Sequence, residues 1–181
     1  MRFFDDGGKE LLPRKDQLFR VNQILPRMKQ ALTKAGKKSQ IISLAEPETT
    51  PSAKIALSQY CFWTGELAIG GIEGVLATEA GWLKGKEVTL VYFNKNTVSE
   101  AEIIKQAKAQ SCANDVFRGD SLKGYRPARE SDQKRQLQGT KFAKIANLTA
   151  FQKTKLNAFA RTNPRRAQSY LTPRQLEQLR Q

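Results

Sequence analysis

Ala53-Lys54-Ile55-Ala56-Leu57-Ser58-Gln59-Tyr60-Cys61-Phe62-Trp63-Thr64-Gly65-Glu66 decides the reading of this chain. In its first half Ile55 and Leu57 alternate with Lys54 and Ser58, the two-residue period of a strand over 53–60. In its second half Phe62 and Glu66, continued by Leu67 and Ile69, fit a short helix over 61–70, with Gly70-Gly71 as its stop. Cys61 thus falls where a strand hands over to a helix. Unpaired N–H groups and the positive end of the helix dipole gather there, and both favour a thiolate over a thiol. Two aromatic residues follow, so an activated sulfur would sit beside apolar walls suited to a small, apolar, sulfur-containing substrate. The alternative is an inert buried cysteine, the more common fate of a free thiol.

Working downstream, residues 74–83 read as a second strand and Lys84-Gly85-Lys86 as a tight hairpin turn. Residues 87–93 are apolar on both faces and read as a central strand. Ser99, with Glu102, forms a capping box for a helix carrying Ala101, Ile103, Ile104 and Ala107. Cys112 follows that helix, and Val116-Phe117 starts a last short strand. The order β-α-β-β-α-(β) is a ferredoxin-like, split βαβ core in an α/β (α+β) chain. That class hosts many functions and selects none by itself.

Upstream, residues 1–15 lack periodicity and read as a loose arm, without the apolar stretch of a secretory signal. Asp16 is a candidate cap for a helix carrying Leu18, Val21, Leu25, Met28 and Leu32, which Pro26 should kink or split. Residues 40–44 read as a short strand, and 45–52, with two prolines, as a linker. Beyond the core, residues 118–145 are polar and basic and read as an extended wrap or a mobile loop. Thr149-Ala150-Phe151-Gln152 and Thr172-Pro173-Arg174-Gln175 are capping boxes for two further helices. The organisation is therefore an N-terminal arm, helix and linker (1–52), a core (53–117) and a basic, partly helical C-terminal extension (118–181).

Charge follows the same division. The 181 residues carry 31 basic and 17 acidic side chains, a net charge of +14. Residues 1–52 hold 10 basic and 6 acidic groups, 53–117 hold 6 and 7, and 118–181 hold 15 and 4. The core is near neutral, so the basic character belongs to the extensions. The chain has no histidine, which excludes Ser-His-Asp and Cys-His catalysis and histidine-ligated metal sites. Two cysteines make no disulfide framework and no zinc site, which points to a cytoplasmic protein. No apolar run approaches the length of a membrane span.

Cys61-Phe62-Trp63, with Glu66, Gly74-Val75, Thr78, Ala80-Gly81 and the strand from Glu87 to Tyr92, resembles the A-type peptide-methionine (S)-S-oxide reductases (methionine sulfoxide reductase A). The matching positions run in order over about 61–111. Gln59-Tyr60 stands where the family has a glycine pair, and Trp82 where it has a tyrosine. Spacing from Tyr92 puts Lys86 at the position of the family's acid, and a one-residue shift puts Glu87 there.

The resemblance implies a core of the methionine sulfoxide reductase A type, and reduction of methionine-S-sulfoxide, free or in oxidised proteins, as repair of oxidative damage. It implies Cys61 as the nucleophile that becomes a sulfenic acid, and Glu87 as the acid that protonates the sulfoxide oxygen. It implies Phe62, Trp63 and Trp82 as the substrate cage, and Cys112 as the resolving cysteine, with core filler as the alternative for Cys112. No bound cofactor is expected; a thioredoxin-like dithiol would restore the enzyme. The chain is expected to act as a monomer. Two other readings stay open. One is a non-catalytic reductase-like scaffold or thiol redox sensor. The other is a module whose Lys134-Arg135 and 161–166 clusters bind nucleic acid or anionic surfaces.

Overall fold

The computed structural model describes residues 1–45 and 53–180. The chain clusters into two compact units, 1–50 and 51–181. Among the described residues no helix is long and apolar enough to cross a membrane.

In the first unit, the arm expected to be loose contains an antiparallel pair, β1 (Phe3–Phe4) and β2 (Glu10–Leu12). Asp5 closes the turn between them, its Oδ1 accepting from Gly7 and Lys9 N–H at 3.0 and 2.9 Å. Helix α1 (Val21–Lys34) starts at Arg20 rather than Asp16, whose carboxylate pairs with Arg14 at 3.0 Å. The Gln23 amide oxygen accepts from the Arg20 N–H at 3.2 Å instead. Pro26 does not divide the helix. Gly36, at φ +66°, ends it. The expected strand at 40–44 is a helix, α2 (Gln40–Ala45), burying Ile42 and Leu44 while Ile41 is exposed. Five residues, mostly apolar, carry too little periodicity to separate the two states. The expected linker lies, from residue 46, outside the described residues.

In the second unit, β3 (Ala53–Ser58), α3 (Phe62–Gly70), β4 (Val75–Leu83), β5 (Lys86–Phe93), α4 (Glu100–Ala109) and β6 (Val116–Phe117) follow in the order read from the sequence. With β7 (Arg126–Pro127) they form a five-stranded antiparallel sheet in the order β6-β3-β5-β4-β7, so the fold is mixed α+β. Helix α3 joins β3 to β4 across the intervening β5. Lys84 and Gly85, at φ +52° and +75°, form the two-residue turn that suits a twisted hairpin.

One sheet face packs Ile55, Leu57, Val91 and Phe93 against Ile69 of α3 and Ile103 and Ala107 of α4. The other packs Ala56, Leu83, Val88 and Leu90 against Leu122 and Tyr125. Helices α5 (Ala150–Phe159), α6 (Pro164–Gln168) and α7 (Pro173–Gln178) enclose a third cluster around Leu137, Phe142, Leu156 and Leu171. The capping boxes expected at Thr149 and Thr172 are formed, whereas at Ser99 only the cap forms: Ser99 Oγ accepts from Glu102 N–H at 3.1 Å, and the Glu102 carboxylate accepts from Gln106 at 2.8 Å.

Residues 118–145 form the wrap and, with Thr154 of α5, close an open edge. Edge strands leave unpaired N–H and C=O groups that template aggregation. Here Thr78 N–H donates to Thr154 Oγ1 at 3.1 Å, and the Gln133 amide pairs with both N–H and C=O of Ala80 at 2.9 and 2.8 Å. Beyond them β7 pairs with Gly81 and Trp82.

Candidate active site

Cys61 is the N-cap of α3, with extended backbone (φ −141°, ψ 121°), and is half-buried. The strand enters extended and the first helical residue is Phe62, so the chain turns at the thiol. The first free helical donor, Phe62 N–H, donates to Glu87 Oε2 at 2.8 Å. Glu87 reaches it from β5, where Gln59 N–H donates to its carbonyl at 3.2 Å and Trp82 lies directly across on β4. Adjacent residues of a strand face opposite ways. Lys86 accordingly turns away and pairs with Asp115 at 2.6 Å, and that bond and the one from Ser58 hold the Asp115 carboxyl below the usual carboxylate range. Glu87 and not Lys86 is brought beside Cys61.

Three aromatic side chains continue the site in a row. Trp82, exposed on β4, meets Phe62 edge-to-face at 5.7 Å. Phe62, buried, meets Trp63 edge-to-face at 6.1 Å. The Arg135 guanidinium then lies over the Trp63 ring at 5.2 Å. Tyr60, immediately before the thiol, is almost wholly exposed.

Cys112 is buried in the core beneath the sheet. It follows α4 in a Schellman turn: Cys112 N–H donates to Ala107 O at 2.8 Å and Ser111 N–H to Lys108 O at 3.0 Å. From there the chain runs antiparallel to β3, with pairs 56↔117 and 57↔116, and Ser58 bonded to both Asn114 and Asp115. Extending that register sets residue 112 opposite 60 or 61, so both cysteines lie at the same end of β3. Burial first, and the neighbouring Cys61 second, push the Cys112 thiol up. Its Sγ–H is directed at Gln110 O at 3.2 Å.

The groups that hold the site were mostly not singled out from the sequence. Glu66, fully buried on α3, forms an ion pair with Lys134 Nζ. It also accepts from Lys134 N–H at 2.7 Å and from Thr78 Oγ1 at 3.3 Å. Lys134 sits at φ +51°. This staple fixes the wrap over α3 and places the next residue, Arg135, on Trp63. At the other end of α3, Lys155 Nζ donates to Gly70 O and Ile72 O at 2.8 and 2.7 Å, satisfying carbonyls that a helix end leaves open. Gly71 caps that end in right-handed conformation, not in the left-handed one that makes glycine a helix stop. The two glycines serve approach instead: a Cβ at Gly70 would lie 3.1 Å from Thr154 O. The sequence signal for Lys134 was its place in a basic cluster, and Glu66 stood out beside Cys61-Phe62-Trp63; nothing local marked that the two pair across 68 residues.

No family model, no curated protein and no solved structure matches the chain.

Proposed function

We propose that the second unit is a thiol-dependent reductase of methionine-S-sulfoxide, on a split βαβ core of the methionine sulfoxide reductase A type. The observation that carries the reading is the 2.8 Å hydrogen bond from Phe62 N–H to Glu87. It puts a carboxyl group beside the nucleophile at a helix N-terminus, next to an aromatic row. Cys61 attacks the sulfoxide sulfur while Glu87 gives a proton to the oxygen. Oxygen passes to Cys61, which becomes a sulfenic acid, and the sulfoxide leaves reduced as methionine. Sulfur of the substrate gains two electrons and sulfur of Cys61 loses them. Phe62, Trp63 and Trp82 supply apolar contact for the S-methyl group.

Cys112 then condenses with the sulfenic acid, releasing water and leaving a Cys61–Cys112 disulfide. A thioredoxin-like dithiol takes that disulfide by exchange. Because Cys112 is buried and its thiol resists ionisation, resolution requires the 110–113 turn to open and is the slow step after oxygen transfer. Two free thiols and dependence on an external dithiol fit a reducing, cytoplasmic setting. The test is one equivalent of a methionine-S-sulfoxide peptide on pre-reduced protein. Stoichiometric methionine with oxidised Cys61 is expected; an unchanged sulfoxide overturns the reading.

A further inference from the structure

The aromatic row ends on a cation with no counter-charge. Lys134 pairs with Glu66, Lys86 with Asp115, Arg118 with Glu100 and Lys123 with Asp120. Arg135 has no carboxylate partner among the described residues, as is true of Lys84 over Phe117 and Arg166 over Phe159, but it alone of these three lies on the aromatic row that starts beside Cys61. Among the described residues its guanidinium meets only the Trp63 face and the neutral amide oxygen of Gln138, at 3.2 Å. It is exposed, yet its backbone is pinned by the Lys134–Glu66 staple one residue earlier. Beneath it the Trp63 indole Nε1–H is buried without an acceptor. Leaving such a donor unpaired carries a desolvation penalty. The guanidinium has one neutral acceptor and no carboxylate, which leaves most of its donors open, and a planar carboxylate answers them bidentately.

We propose that Arg135 is a specificity-determining residue that binds a carboxylate of the substrate, so that the site selects methionine sulfoxide carrying a free negative charge. The carboxylate is either the α-carboxylate of the amino acid or an acidic side chain beside it in a peptide. This rests on the reductase reading, and it adds the substrate class to it.

The experiment compares N-acetyl-methionine-S-sulfoxide with its carboxamide as substrates of the wild-type, Arg135→Gln and Arg135→Lys proteins. The wild type is expected to favour the carboxylate in kcat/KM by roughly ten- to a hundredfold, the range of a charge-assisted hydrogen bond. Arg135→Gln should bring that ratio near one, and Arg135→Lys should restore part of it. A wild-type ratio near one, or a ratio that survives Arg135→Gln, overturns the proposal. A second pair of peptides, with Asp or Asn after the sulfoxide, locates the carboxylate: preference for Asp assigns a side chain, and equal rates with a preference for the free acid assign the α-carboxylate. The same ratio is read without chemistry from quenching of tryptophan fluorescence by N-acetylmethionine and its amide in Cys61→Ser protein. No turnover with a preserved binding ratio would end the reductase reading and keep the carboxylate site. Turnover with a ratio of one would do the reverse.

Discussion

Glu87 holds Phe62 N–H as an acceptor and, in the proposed reaction, gives up a proton as an acid. Glu87→Gln separates the two roles, because the amide oxygen still accepts from Phe62 but the side chain cannot act as a carboxylic acid. Methionine formation in a single turnover should slow by roughly a hundred- to ten-thousandfold, the usual weight of general acid catalysis. Circular dichroism should be unchanged. A mutant as fast as wild type would remove Glu87 from the chemistry. The cysteines should differ in the same protein. Iodoacetamide should modify half-buried Cys61 first and Cys112 much more slowly, with a pH profile displaced upward for Cys112 by its burial. At this scale the sequence was legible where chemistry is local. Cys61, Phe62 and Trp63 are adjacent, and their strand-to-helix position needs only periodicity. The choice between Lys86 and Glu87 was not legible, because spacing counts residues while the pleat decides which face each one takes.

Helix α3 owes its place to close approach rather than to its own propensity. A Cβ at Gly65 would fall 2.4 Å from Thr89 Oγ1 and 2.8 Å from the Gln59 amide, both buried on the sheet below. Gly65→Ala should therefore destabilise the protein by about 1–3 kcal/mol through overpacking, although alanine is the better helix former. Urea unfolding measures it, and a stabilised variant would contradict the packing described. The turn after α4 offers the opposite case. Ser111 sits at φ +56°, the Schellman position that glycine takes at no steric cost. Ser111→Gly should raise stability, by up to about 1 kcal/mol. The capped elements α4, α5 and α7 were legible, since their Ser and Thr caps precede periodic segments. Helix α6 is hidden in the sequence by the Arg165-Arg166 pair, which reads as a charge cluster. Its signal was present in Asn163, whose side chain accepts from Arg166 N–H at 3.0 Å, and in Pro164 at the first helical position. The pair β1–β2 and helix α2 are too short for either period to show.

Across the second unit, the basic extension is part of the packed structure, bound to the sheet by buried polar groups. Lys134→Met would leave the Glu66 carboxylate fully buried without its cation, and should cost about 3–5 kcal/mol. It should also loosen Arg135 and with it the carboxylate preference. Lys155 makes stability depend on pH. Desolvation first, then the charge of Arg166, lower its pKa from 10.5 to about 7, against the opposing pull of Glu73. Between those values the unfolded chain holds the proton and the folded one does not, so stability from this group rises with pH, by up to about 1.4 kcal/mol per unit. Cys112 acts in the opposite sense, because its raised pKa withdraws stability as pH climbs past about 9. Urea midpoints of wild type minus Lys155→Met at pH 7, 8 and 9 isolate the lysine, and the difference should grow with pH. A flat difference would mean the lysine stays charged. Such long-range partners explain why the role of the tail was not legible: Lys155 meets Gly70 and Ile72, and Gln133 meets Ala80, across separations that no local pattern marks.

The central claim is that Cys61 takes oxygen from a methionine sulfoxide. Its most direct measurement is a single turnover on pre-reduced protein, quantifying methionine and mapping both thiols by peptide mass. The account predicts one methionine per protein, with Cys61 first as a sulfenic acid and then joined to Cys112. No methionine, with Cys61 still free to alkylate, would contradict it.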